Sequence, residues 1–137
     1  MLFALVATTA PSSADVADVV RGWNLLGTFA TNCTKRPSAD NAYAAYVQRD
    51  AVVFIDRDVG TNRDSLAIID ASVLADGTIS IVIDFGKTGT RTNILAKDAE
   101  DRIRAIANHD SKGRFSVRNG VVLALKRPTQ WQQRCAP

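Results

Sequence analysis

From Leu25 onward the chain alternates apolar and polar residues in short runs, each closed by turn-forming residues. The clearest run is Thr78–Phe85, which puts Ile79, Ile81, Ile83 and Phe85 on one face of a strand. Ahead of it stand the long apolar run Ser65–Leu74 and Asp76-Gly77, a type I′ hairpin signal. The same reading predicts strands at Leu25–Thr31, Tyr43–Gln48, Ala51–Arg57, Thr90–Lys97, Arg102–Asn108, Arg114–Arg118, Val121–Lys126 and Gln130–Cys135. Tight turns fall at Arg49-Asp50, Val59–Asn62, Gly86–Gly89, Asp110–Gly113 and Asn119-Gly120. Asn32–Asn41 is a longer loop, Asp98–Asp101 a charged one, and Arg127-Pro128-Thr129 breaks the penultimate strand.

Upstream the period changes. Val16, Val19, Val20 and Trp23 recur at three- and four-residue steps, which predicts a helix over Pro11–Gly22. Ser12 and Asp15 can cap its start and Gly22 can end it. The expected role of this helix is a plug over one end of the sheet.

A meander in plain sequential order must deal with its edges, and closure removes them. The expected fold is therefore all-β: an antiparallel up-and-down barrel of about eight short strands with a short N-terminal helix. A two-sheet sandwich is the alternative, although only Asn32–Asn41 is long enough for an obvious cross-sheet connection. Phe54, Ile79, Ile81, Ile83 and Phe85 are bulky inward candidates that would fill the interior.

Length and charge narrow the classes. A chain of 137 residues suits one domain, here 15–137. Residues 1–14 read as the remnant of a secretory signal, with an apolar run at Leu2–Ala7 and small residues at Ser12-Ser13-Ala14, although no Lys or Arg precedes the run. No stretch approaches the roughly 18 apolar residues of a spanning helix, so no membrane insertion is expected. The net charge of +3 is mild, and Arg49-Asp50, Arg57-Asp58, Arg63-Asp64 and Asp101-Arg102 mix the signs. Nucleic acid is therefore not an expected partner.

The two cysteines change the picture most. In an oxidising compartment Cys33 and Cys135 would pair. Closing a loop of that length is worth roughly 4–5 kcal/mol in the chain-entropy model. With one histidine, His109, beside a turn, there is no metal-ligand set, and no cofactor is expected. Asp70 and Asp84 interrupt apolar strands and could meet across a hairpin, either exposed near its open end or forming a polar barrel mouth. Arg57, Asp58, Arg63 and Asp64 bracket a turn and predict cross-turn ion pairs. Arg91, Arg102 and Arg104 are expected to face outward, because unpaired inward guanidiniums cost too much desolvation. Trp23 is expected to seal a barrel end, its indole N–H on a carbonyl and Arg134 or Lys126 stacked on its ring. Candidate barrel-end or ligand contacts are Trp23, Phe29, Asp70, Asp84, Arg104 and Trp131.

Arg21-Gly22-Trp23 or Gly27-Thr28-Phe29, closed by a late arginine, resembles the lipocalin-like (calycin) barrel signature. Gly27–Cys33 together with Trp131–Cys135 resembles small secreted proteins of alphaproteobacteria. More loosely, the chain is similar to periplasmic lysozyme-inhibitor barrels. The calycin likeness implies a ligand site at an open barrel end. The resulting expectation is a periplasmic or secreted, monomeric, non-enzymatic binding or inhibitory module with a protein or small-molecule partner. A carrier of a small apolar ligand and a small hydrolase or isomerase using barrel carboxylates are the alternatives.

Overall fold

The structure, a computed structural model, describes residues 13–137, and its strands hydrogen-bond in chain order. Helix α1 (Ser13–Gly22) precedes β1 (Gly27–Ala30), β2 (Tyr43–Arg49), β3 (Val52–Asp58), β4 (Arg63–Val73), β5 (Ile79–Asp84) and β6 (Thr90–Lys97). Then follow β7 (Ile103–Asp110), β8 (Phe115–Arg118), β9 (Val121–Val122), β10 (Arg127–Pro128) and β11 (Gln133–Arg134). Strands β1 to β9 each pair antiparallel with the next, and β11 returns to the free side of β1. The result is an all-β antiparallel sheet of eleven strands, curled into a half-barrel, with one short helix. The signal-like run, the small-residue site at 12–14 and the Ser12–Asp15 cap rest on residues outside, or only partly within, the described ones.

Local chemistry explains where elements depart from the expected boundaries. Val121–Lys126 is not one strand: it ends at Val122, and the amides of Leu125 and Lys126 both donate to the Val122 carbonyl. The chain then returns as Arg127–Pro128, where proline is tolerated because this outermost strand needs no further donor. The Asp76-Gly77 turn is not type I′, since of the two only Gly77 has a positive φ, at 85°. Asp76 instead accepts the Thr78 N–H and hydroxyl through its carboxylate. Asn119 and Gly120, with φ of 52° and 73°, do have the I′ pattern.

One face of the sheet forms the core. Phe29, Tyr46, Val53, Ile55, Ile68, Ile79, Ile81, Ile83, Leu95 and Ile103 are buried there together with Val16, Ala17, Val20 and Trp23 of the helical segment. Helix α1 packs its apolar stripe on β3 and β4. Trp23 follows it, donating its indole N–H to the Gly77 carbonyl at 2.8 Å. The cation on its ring is Lys97, 4.1 Å from the centroid, rather than Arg134 or Lys126, and Lys97 also bonds the Trp23 carbonyl. Phe54 is not inward. It alternates with buried Val53 and Ile55, and Arg49 lies 4.5 Å over its ring.

The last segment joins distant parts of the sheet. Gln132 and Ile103 exchange both backbone hydrogen bonds, at 2.7 and 3.0 Å, at the start of β7. Phe29 and Ala30 pair with Arg134 and Gln133 on the other side, and the Cys135 amide donates to the Thr28 carbonyl at 2.7 Å. The Thr129 hydroxyl donates to the Ala105 carbonyl at 2.6 Å. Arg134 bonds the carbonyls of Leu26 and Asn24 and the Asp101 carboxylate, with its guanidinium 4.6 Å over Phe29. Gly27 makes room for it: at φ 137°, a Cβ there would lie 2.4 Å from Arg134 Nη1. Cys33 and Cys135 form a disulfide with Cα atoms 5.4 Å apart.

Replacing both cysteines by serine should lower unfolding stability by about 4 kcal/mol, as the loop between them is freed in the unfolded chain. Urea denaturation followed by tryptophan fluorescence measures it. A change below about 1 kcal/mol would mean that the unfolded chain is not constrained by this link.

Candidate functional site

Two residues toward the end of the sheet away from α1, the inner face changes character. The row Tyr46, Ile55, Leu66 is apolar but for one phenol, whereas the next row is Ala44, Arg57, Asp64. Arg57 grips Asp64 through two hydrogen bonds, 2.8 Å from Nε and 2.5 Å from Nη2. Across the sheet Ile81 pairs with Asn93 and Asn93 with Asn108, while Ile83 pairs with Arg91. Of these, Ala44, Tyr46, Ile55, Arg57, Asp64, Ile83, Asn93 and Asn108 line a cup of about 390 Å³ together with Phe85 and Gln132.

The cup is polar but internally balanced. The Arg57 guanidinium holds the Asp64 carboxyl below the usual carboxylate range, against the opposing effect of burial. Arg57 is itself held up by that same carboxylate. Burial pushes the Tyr46 phenol upward, with Arg57 pulling the other way, so it stays a neutral hydroxyl at physiological pH. Phe85 lies beneath Arg57, 5.2 Å from the guanidinium. Beside the cup, Arg91 lies on the same face opposite buried Ile83 and donates to Asn108 Oδ1 at 2.7 Å and to Ser116 Oγ at 3.0 Å. The expectation that Arg91 faces outward therefore fails. Its desolvation is met by an amide and a hydroxyl rather than by an acid. Asn93 Oδ1 is buried and has no hydrogen-bond partner in the protein.

A wider groove of about 630 Å³ crosses the outer face at Arg49, Asp56 and Ser65. Its polar atoms are committed to one another. Arg49 makes two 2.9 Å bonds to Asp56, and the Ser65 hydroxyl donates to Asp56 at 2.6 Å. The smaller inner cup, with an unsatisfied acceptor, is the better candidate for recognition.

The residues singled out from sequence do not share one site. Phe29 is fully buried against Tyr46, and Trp23 lies in the core beneath Gly77. Asp70 and Asp84 are both exposed and do not oppose each other, since Asp70 pairs with Val82 and Asp84 with Thr90. Each carboxylate accepts a nearby backbone N–H, from Ala71 and Gly86 respectively. Arg104 and Arg102 lie 5.1 and 5.7 Å over the Trp131 ring, a stack separate from the cup. His109 packs on Phe115, and the Asp110 carboxylate beside it serves the backbone and side chain of Arg114 instead. Those bonds hold Asp110 down at about 2.

Arg57 and Asp64 were legible as a cross-turn pair, and Arg63–Asp58 at 3.0 Å is its outer counterpart. Asn93, Asn108 and Gln132 gave no sequence signal, since each is one polar residue among several in its segment. No family model, curated protein or solved structure matches the chain.

Because the folded Asp64 value is depressed, its contribution is fully present above the unfolded carboxyl value of 3.8 and is lost as pH falls through the folded one. Asp64→Asn should therefore cost about 0.5–1 kcal/mol at neutral pH, both partners being over a third exposed. It should also flatten stability below the unfolded carboxyl value. Urea titrations at neutral and acid pH measure both, and an unchanged acid limb would show that the pair does not couple to folding.

Proposed function

We propose that this chain is an exported, non-enzymatic binding or inhibitory module. On this reading it is a lipocalin-like barrel whose polar cup takes a small polar molecule or a polar side chain of a protein partner. The observation behind it is the buried Asn93 Oδ1, unpartnered in the protein, in a cup of about 390 Å³ that is otherwise charge-balanced. A buried acceptor without a partner costs about 1–3 kcal/mol, so a ligand toward whose donor the Asn93 amide turns recovers what the free protein lacks.

Three features support the barrel part of the proposal. The Ile103–Gln132 bonds join β7 to the segment that also pairs with β1, giving about eight staves if the arc is counted as closed. Arg134 over Phe29, in Gly27-Thr28-Phe29, has the arrangement expected of the calycin-like signature. The Cys33–Cys135 disulfide fits an oxidising compartment, periplasmic or secreted. The apolar-carrier alternative is disfavoured by the interior next to the cup, where Leu25, Phe29, Ile79 and Ile81 are fully buried. The hydrolase alternative is disfavoured because Asp70 and Asp84 stand exposed outside the cup.

Native mass spectrometry of the protein recovered from its own periplasm or medium tests this. The expected result is oxidised cysteines, loss of the leader, and a polar adduct or a protein partner. Asn93→Leu should weaken retention of that adduct about tenfold, the worth of one buried hydrogen bond. A lipid adduct would favour the carrier. Free thiols with an intact start would overturn export.

A further inference from the structure

The alternation of acids and bases ends at Asp110. From Ser111 to Pro137 the chain has six basic residues, Lys112, Arg114, Arg118, Lys126, Arg127 and Arg134, and no Asp or Glu. The chain as a whole is only +3, so the first 110 residues are net acidic. Much of this basic stretch forms the β8–β10 flap, which extends the sheet beyond β7. Arg114 pairs with Asp110 and Arg134 with Asp101. Among the described residues, Lys112, Arg118, Lys126 and Arg127 pair with no carboxylate. Arg118 lies instead on the Phe115 ring at 4.7 Å. Asp40 lines the same groove as Arg127 without forming an ion pair with it.

The tip of this flap is apolar. Leu123 is 45% exposed and Leu125 59% exposed, immediately before Lys126 and Arg127. Its backbone is largely satisfied internally: the Leu123 amide donates to Ser116, and those of Leu125 and Lys126 to Val122. A tip of this kind can enter a headgroup layer without stranding those donors.

We propose that the β8–β10 flap docks the protein on an anionic phospholipid surface, with Leu123 and Leu125 dipping into the headgroup boundary and Lys112, Arg118, Lys126 and Arg127 facing the lipid phosphates. The cations match the surface charge, and the self-bonded leucine tip favours a bilayer over an acidic protein face, where exposed leucines would need a fitted apolar groove. Leu125 and Arg127 border a groove that shares Ala42 and Gln132 with the cup, but none of the residues assigned to the lipid surface lines the cup itself, so the two proposals can fail separately.

The disulfide-bonded full chain is sedimented at low ionic strength with phosphatidylcholine vesicles and with vesicles containing about one-third phosphatidylglycerol. Binding is expected to the anionic vesicles alone and to be released by salt. Lys126→Gln with Arg127→Gln should weaken it about thirtyfold. Leu123→Ser with Leu125→Ser should also weaken it, and near-ultraviolet circular dichroism should be unchanged in both variants. No binding to anionic vesicles, or equal binding to neutral ones, would overturn the proposal. So would binding that is indifferent to the leucines and matched by soluble polyglutamate, which would assign the flap to an acidic polypeptide.

Discussion

The structure depends on the segment from Thr129 to Cys135 satisfying two strand edges at once. One side of it bonds β7 through Gln132 and Thr129, and the other bonds β1 through Gln133, Arg134 and Cys135. Without it, β1 and the first half of β7 would present unpaired backbone groups beside the core, which is costly in water-poor surroundings and invites pairing with other chains. The disulfide fixes this segment covalently, and Arg134 fixes it electrostatically by bonding two carbonyls and the Asp101 carboxylate. Phe29 is fully buried partly because that guanidinium lies over it.

The same arrangement makes the two ends of the sheet different. At one end α1, Trp23 and Lys97 fill the space, and the indole N–H and the ammonium both end on carbonyls. At the other, the inner face passes from Ile55 to Arg57 along β3 and from Leu95 to Asn93 along β6 within one alternation. An apolar core thus ends in a cup whose ion pair is neutral overall and whose amides can donate or accept. That composition suits selection of a polar ligand better than storage of an apolar one.

The strands were legible because period-2 alternation and turn residues survive in the sequence, and the cysteine pair was legible because the chain has only two cysteines, at the two ends of its patterned region. Which face each residue takes was less so, because β-bulges change parity silently. Ile69 is an extra residue between Ile68 and Asp70, so Asp70 is exposed although it lies two residues from buried Ile68. Ile106 is likewise unpaired between Ala105 and Ala107, so Ala105, opposite core Leu95, and Asn108, opposite Asn93, share the inner face although an unbroken alternation would separate them. Phe54 looked inward on hydrophobicity alone, but its place between Val53 and Ile55 sends it outward under Arg49. The cup was hidden for a related reason: its amides come from β6, β7 and the closing segment, and only the register brings them together.

The most direct test of this account is native-state amide hydrogen exchange at Ile103 and Gln132, the two residues that bond each other where the last segment meets β7. If the segment joins β7 to β1 as a structural stave, both amides should exchange only through global unfolding, with the same protection as the Tyr46 and Ile81 amides in the core strands. Rapid exchange of both, with the core strands still protected, would contradict it and leave β7 and β11 as separate open edges.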